Sequence, residues 1–360
     1  MKNTAIFNQK AANESIYTVL NTEVERYFAE NNLSKKGNAH LYIKGAFFVS
    51  SIIYAYIQLV FFTPESLFLS LLLCVYAGFT LAFIGFNVMH DACHGSYSEN
   101  KKTNDFFSYS MNFLGSANFI WKVKHNVVHH SFTNIDGIDA DIIQTKLLRF
   151  APTQKKRAIH RFQHWYAVIL YALSYTTWIL FNDFEKYYSQ KVYQTPIPRF
   201  NMREKVIFWI SKIYYVTVYL AIPIFMLGFA KALTGYAVIS AACGVMLAVV
   251  FQLAHVVEKT EFEDATDTVL LLEAEWAEHQ LNTTANFATD NRLVSWFLGG
   301  LNFQVEHHLF PYVSHVHYPQ IQPIVQRVCR DFGVEYRNYP TLGAAVRSHF
   351  AMLRILGTIP

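Results

Sequence analysis

Six consecutive residues, His125-Asn126-Val127-Val128-His129-His130, carry three imidazoles at positions i, i+4 and i+5. On an α-helix, residues four apart share a face and the next one follows beside it, so all three rings can be aimed at one volume. Histidine makes up only 15 of 360 residues, so three in six positions is a poor fit to incidental surface histidines. Upstream, His90-Asp91-Ala92-Cys93-His94 places two imidazoles at i and i+4, the spacing by which one helix offers two nitrogens to a metal. Downstream, Gln304-Val305-Glu306-His307-His308 repeats the rhythm, with Gln304 four positions before the terminal histidine. Clusters spread from residue 90 to residue 308 must be brought together by folding, and the chemistry they predict is a multi-histidine metal site.

His255 joins them at the end of an apolar run, Phe251-Gln252-Leu253-Ala254-His255, where an ionisable side chain is a functional candidate. His90, His94, His125, His129, His130, His255, His307 and His308 exceed the three or four protein ligands that one zinc takes, so two metal ions are expected. A nitrogen-rich set without thiolate suits iron that activates dioxygen, with copper left open by ligand type alone. Cys93 lies between two candidate ligands but is left out on the same ground. Asp91, Asp136, Asp139, Asp141 and Glu306 are placed to accept the second ring N–H of a ligating histidine and fix its tautomer, or else to cap helices or sit on the surface. His279 is an open candidate. His315 and His317, after Pro311, read as solvated loop residues, and His40, His160, His164 and His349, without partner spacing, read as structural.

The elements that must hold these side chains are membrane helices. Hydrophobic residues make up 52% and charged residues only 16%, against roughly 25% charged in an average soluble domain. A formal net charge of +4 gives nucleic-acid binding little support. The four cysteines, Cys74, Cys93, Cys243 and Cys329, show no metal or disulfide pattern. Residues 1–40 are polar and lack an apolar h-region, so no cleavable signal peptide is expected.

Residues 45–64 and 66–89 are free of charge, each long enough to cross about 30 Å of hydrocarbon, and Thr63-Pro64-Glu65 predicts a hairpin between them. From His90 to His164 the chain is polar and rich in Lys and Arg, which marks a cytoplasmic loop. Two more apolar runs, residues 206–230 and 232–257, join at Lys231. If one site uses all three clusters, the crossings between His130 and His307 must be even in number. The apolar stretch Trp165 to Phe181 should therefore lie in the interface or re-enter rather than span. The expectation is an all-α polytopic protein with four transmembrane helices, an interfacial helix and a cytoplasmic helical cap, both termini cytoplasmic. Its parts are an N-terminal segment (1–40), the membrane domain with its cap (41–330) and a C-terminal segment (331–360).

These motifs resemble those of the membrane fatty acid desaturases. The three histidine boxes of that family match His90 to His94, His125 to His130, and Gln304-Val305-Glu306-His307-His308-Leu309-Phe310-Pro311. Gln304 in place of the first histidine of the third box resembles the front-end branch, as do Ser131 to Asp141 and Gln280 to Asn286. The resemblance covers roughly residues 40 to 330. It implies a four-span fold, a cytoplasmic di-iron centre and dioxygen-dependent insertion of a cis double bond into a fatty acyl chain carried as acyl-CoA, acyl-ACP or acyl lipid. It also implies that His255 is the extra histidine supplied by the last span and that Gln304 is a ligand or is hydrogen-bonded to one. The His-Pro-Gly-Gly haem motif of a fused cytochrome b5 domain does not occur, so electrons are expected from a separate carrier such as ferredoxin or cytochrome b5.

The physical logic agrees with the chemistry that the resemblance implies. An unactivated methylene has no acidity for a side-chain base to exploit, so a metal-oxygen oxidant is required. The protein must then hold one methylene pair against it and exclude water. A hydroxylase or oxidase of the same superfamily would use the same spacing, oxygen rebound giving an alcohol where a second hydrogen abstraction gives an alkene. A membrane metal-binding or transport protein would place its ligands near the middle of its spans, whereas here they fall outside them.

Overall fold

The computed structural model describes residues 4–11, 15–143, 145–266 and 269–360, which are mostly helical. Among them, four helices are long and apolar enough to cross a bilayer: Ala39–Phe61, Leu67–His94, Met202–Leu227 and Phe229–His255. Their starts follow local chemistry. The Asn38 side chain accepts from the Leu41 N–H and the Ser66 hydroxyl from that of Leu69, so each of the first two spans opens on a side-chain cap. Asn201 and Glu204 form a reciprocal capping box at the third.

The turn between the third and fourth spans falls at Gly228, with φ 81°, and not at Lys231, which lies in the fourth span. A left-handed backbone falls to glycine, whereas a lone lysine is compatible with a helical turn. The second and fourth spans touch closely: a Cβ at Gly78 would overlap the Ile239 carbonyl.

The stretch from Trp165 lies on the helix Gln163–Thr177 and the π-helical turn Trp178–Asn182. The helix continues through Asp183–Ser189, but it is not among those long and apolar enough to cross: its apolar stretch is bounded by Gln163 and His164 on one side and by Asp183, Glu185 and Lys186 on the other. This helix lies against the fourth span at Gly244, where a Cβ would come within 2.6 Å of the Tyr171 carbonyl. Trp165, Ile169, Leu173 and Phe181 face outward.

Short parallel ladders tie distant parts of the cap together. Ile135–Asp136 pairs with Glu263–Asp264 and Asn286–Phe287 with Asn338–Tyr339. Near the N-terminus, Thr4–Phe7 pairs with Val269–Leu272. The helix Ile16–Glu30 buries Ile16, Leu20, Val24 and Phe28 in the cluster that contains Leu309, Phe310 and Val325. At the other end of the chain, the buried Arg149 guanidinium donates to the carbonyls of Leu356, Ile359 and Pro360, fixing the last turn of Leu342–Thr358.

Candidate metal centre

The first cluster sits at the end of the second span, which passes through a π turn at Gly85–Met89 before His90–His94 and stops at Gly95, φ 71°. The second cluster corrects the expectation of an α-helix. Val123–His129 is π-helical, and the His130 N–H bonds to the His125 carbonyl at 3.0 Å, five residues back. With 3.6 residues per turn, His130 would lie about 140° round from His125. The wider π turn returns it beside His125, so that His129 and His130 flank that ring. His255 ends the fourth span, and the third cluster is the short, wholly buried helix Gln304–Leu309.

Folding brings the three clusters and His255 into one place. One candidate ligand atom from each of His90, His94, His125 and His307 lies within 4.8 Å of the others, and the same holds for His129, His255 and His308. His130 links the two groups through His307 and His308. The His125 Nε2 lies 3.2 Å from both His90 Nε2 and His130 Nε2.

The outward nitrogens of several rings are fixed and the inward ones are bare. The His129 Nδ1–H donates to Asp139 at 3.1 Å, that of His308 to Gln280 Oε1 at 2.8 Å, and that of His255 to the Thr283 carbonyl at 3.3 Å. His307 Nδ1 lies 3.1 Å from the Tyr318 hydroxyl. In all four rings Nε2 is buried with no hydrogen-bond partner, as is Nε2 of His94. Unpaired buried nitrogens cost about 1–3 kcal/mol each. Five of them converging, with the tautomers of His129, His255 and His308 set by outer acceptors, is the arrangement that fits metal ligation.

Electrostatics agree. Burial and the neighbouring rings hold His125, His130, His307 and His308 well below the ordinary imidazole value, so they stay neutral and able to ligate. Burial also pulls on His129, but the charge and hydrogen bond of Asp139 and the charge of Asp141 outweigh it and raise that group. Asp141 lies 3.8 Å from His129 Nδ1 and is itself paired with Lys124.

The remaining candidates take varied places. Asp91 lies 4.0 Å from His90 Nδ1, while its other oxygen accepts from the Ser314 hydroxyl at 2.7 Å and from His315 Nδ1 at 3.0 Å. Glu306 accepts from Asn286 and from the Tyr336 hydroxyl, both at 2.7 Å, and burial pushes it up to about 7. Asp136 accepts from Thr153 and Gln154, away from the rings. Gln304 donates to the Leu301 carbonyl at 2.8 Å. His279 Nε2 donates to the Thr133 carbonyl at 2.8 Å and belongs to none of the ligand groups. Cys93 packs with Met89, Met111 and Trp121.

His315 and His317 are not solvated. His315 is buried between Asp91 and the Lys44 ammonium, 2.8 Å from its Nε2, because the loop after Pro311 folds back under the first two spans. His317 donates to the Lys36 carbonyl at 3.1 Å and stands edge-on to Phe28. Sequence reasoning missed Tyr318 as a partner of the rings, and Trp121, which stacks on His125 at 4.3 Å. Gln280 and Thr283 lay within a stretch already singled out, though without a role.

Beside the histidines lies a cavity of 690 Å³ whose wall includes His90, His125, His255 and His307 and is otherwise mainly apolar, with Trp178, Leu247 and Phe251 among its residues. That volume is in the range of a site for one extended apolar ligand.

Residues 66–340, which contain all three clusters and His255, match the family described as fatty acid desaturase. The chain is 38% identical over 341 residues to the sn-1 linoleoyl-lipid 6-desaturase of Synechocystis sp., an alignment covering 94% of each protein. It is 34% identical to the protein of the same name from Arthrospira platensis, over 95% of this chain and 92% of that one. It is 35% identical to the acyl-lipid (8-3)-desaturase of Physcomitrium patens, over 96% of this chain and 72% of that one. With its histidines gathered where two apolar spans end, beside a cavity fit for a hydrocarbon chain, this integral membrane protein belongs to the fatty acid desaturase family and is an oxidoreductase acting on fatty acyl chains.

Proposed function

We propose that the protein inserts a cis double bond into an acyl chain carried on a glycerolipid, using two iron ions and dioxygen. One ion would be held by His90, His94, His125 and His307 and the other by His129, His255 and His308, with His130 between them and Gln304 at the edge. The observation that carries this reading is the set of bare, buried Nε2 atoms facing one another. When bound, the metal pair and dioxygen supply an oxidant able to take hydrogen from an unactivated methylene, which no side-chain acid or base can do.

The chain's own residues do the rest. Asp139, Gln280, Thr283 and Tyr318 hold the rings in register from behind. The apolar wall of the cavity presents one methylene pair to the site and excludes water. The excess of Lys and Arg between His90 and His164 supports a cytoplasmic site with both termini on that side. Electrons would come from a separate carrier, a ferredoxin or cytochrome b5.

The glycerolipid as carrier is supported by the names of the relatives and by a cavity built among membrane helices. Membranes containing the protein are supplied with labelled acyl chains on glycerolipid or on CoA, and products are followed by mass spectrometry. The expected result is an alkene formed directly on the glycerolipid. Label that becomes unsaturated first in the CoA pool overturns the choice of carrier.

A further inference from the structure

A second cavity, of 670 Å³, lies beyond the first. Its wall includes Thr63 and Pro64 from the first hairpin and Ala230 and Lys231 from the start of the fourth span, so it reaches the span ends opposite His94 and His255. Among the described residues, no histidine lines it. Of the described residues, Leu81 and Tyr175 alone line both cavities.

Both are almost fully buried and belong to one packed cluster with Tyr215 and Cys243. Tyr175 is not free to swing, because its hydroxyl donates to the Leu114 carbonyl at 2.7 Å. A fixed, bulky ring thus stands between two mainly apolar spaces of nearly equal size.

We propose that Tyr175, backed by Leu81, is the end wall of the acyl site and sets the longest chain the enzyme seats. This rests on the reading of the 690 Å³ cavity as the acyl site. A chain whose reacting methylenes lie at the histidines can extend only as far as this wall. A shorter chain leaves a void with lost dispersion contacts, and a longer one is forced against packed side chains. Without the ring, the surplus methylenes would enter the second cavity at little cost, since its wall is mainly apolar.

Three variants test this in cells fed acyl chains of graded length, with products measured as long-to-short ratios. Y175A should raise that ratio by about tenfold, the lower end of what one methylene is worth in an apolar pocket. G235F fills the second cavity from a glycine where a Cβ would meet only Cys74 Sγ, at 3.8 Å. Alone it should leave the wild-type length profile unchanged, and combined with Y175A it should restore the original cut-off. The wall is disproved by an active Y175A with an unaltered profile. It is equally disproved if G235F alone shortens the accepted chains, since substrate would then already occupy the second cavity; that arm does not depend on Y175A folding. A wild-type protein that desaturates no chain of any length would instead sink the functional reading.

Discussion

Asp139 holds the ring of His129 from behind: its Oδ2 accepts the Nδ1–H at 3.1 Å and also the Asn134 backbone N–H at 3.0 Å, while its Oδ1 accepts from the Asp141 N–H at 2.9 Å. The carboxylate is therefore aimed before any metal arrives. D139N keeps the shape but removes the charge, and should lower metal affinity or turnover by about 10- to 100-fold. Metal analysis of the purified variant alongside product formation checks this. Wild-type values for both would place Asp139 in loop structure alone.

The bare Nε2 atoms lead to a second expectation. Alanine at His129, His307 or His308 removes a ligand that no neighbour replaces and should abolish turnover with loss of bound iron. His130 lies with His307 of one group and His308 of the other, as His125 of the first lies with His129 of the second and Asp141, so H130A should lower the content of both ions, whereas H255A should lower chiefly one. Iron counted per protein chain distinguishes the two patterns, and equal depletion by H130A and H255A would refute the division into two groups.

Much of this was legible in the residues alone. The histidine clusters advertise themselves because helical ligands recur at short spacing, and the spans because hydrocarbon tolerates no charge. Among the partners of the rings the carboxylate of Asp139 was legible; the others were not, for physical reasons. A backbone carbonyl such as that of Thr283, or a hydroxyl such as that of Tyr318, becomes a partner only through tertiary placement. His315 could not be read as buried because its partner Asp91 lies on another element more than two hundred residues away. Nor does sequence pattern separate an α turn from the π turn at Val123–His129, since the same residues suit both and the difference is one backbone bond.

The neutral histidines give the metal-free protein a defined pH dependence. His125, His130, His307 and His308 titrate well below 6.5 when folded, because of burial and mutual repulsion. The unfolded chain takes up these protons near 6.5, so it binds more protons than the folded state below that pH. Their contribution to stability is complete above 6.5 and is lost as pH falls through it, by up to about 1.4 kcal/mol per pH unit for each ring. His129, raised by Asp139, and Glu306, raised by burial to about 7, work in the opposite sense but are two groups against four. Thermal unfolding of chelator-treated protein should show Tm falling from about pH 7.5 to about pH 5.5; a flat or rising Tm would contradict the neutral cluster.

A buried ion pair beside the cavity yields the last expectation. The Lys212 ammonium, on the third span, lies 2.8 Å from Asp183 Oδ2, 2.7 Å from the Gly115 carbonyl and 2.9 Å from the Ile179 carbonyl. Ile179 belongs to the π turn Trp178–Asn182, and Asp183 Oδ1 accepts the Trp178 indole N–H at 3.0 Å. One cation thus fixes the helix that carries a wall of the 690 Å³ cavity. Removing it in K212M strands a fully buried carboxylate, which should cost about 3–5 kcal/mol. The double variant K212M/D183N should recover part of that loss, because no uncompensated charge remains, although Trp178 would then donate to an amide oxygen in place of a carboxylate. Unfolding of the single and double variants in detergent measures both terms. If K212M proves as stable as the wild type, or the double variant less stable than K212M, the pair does not hold this wall in place.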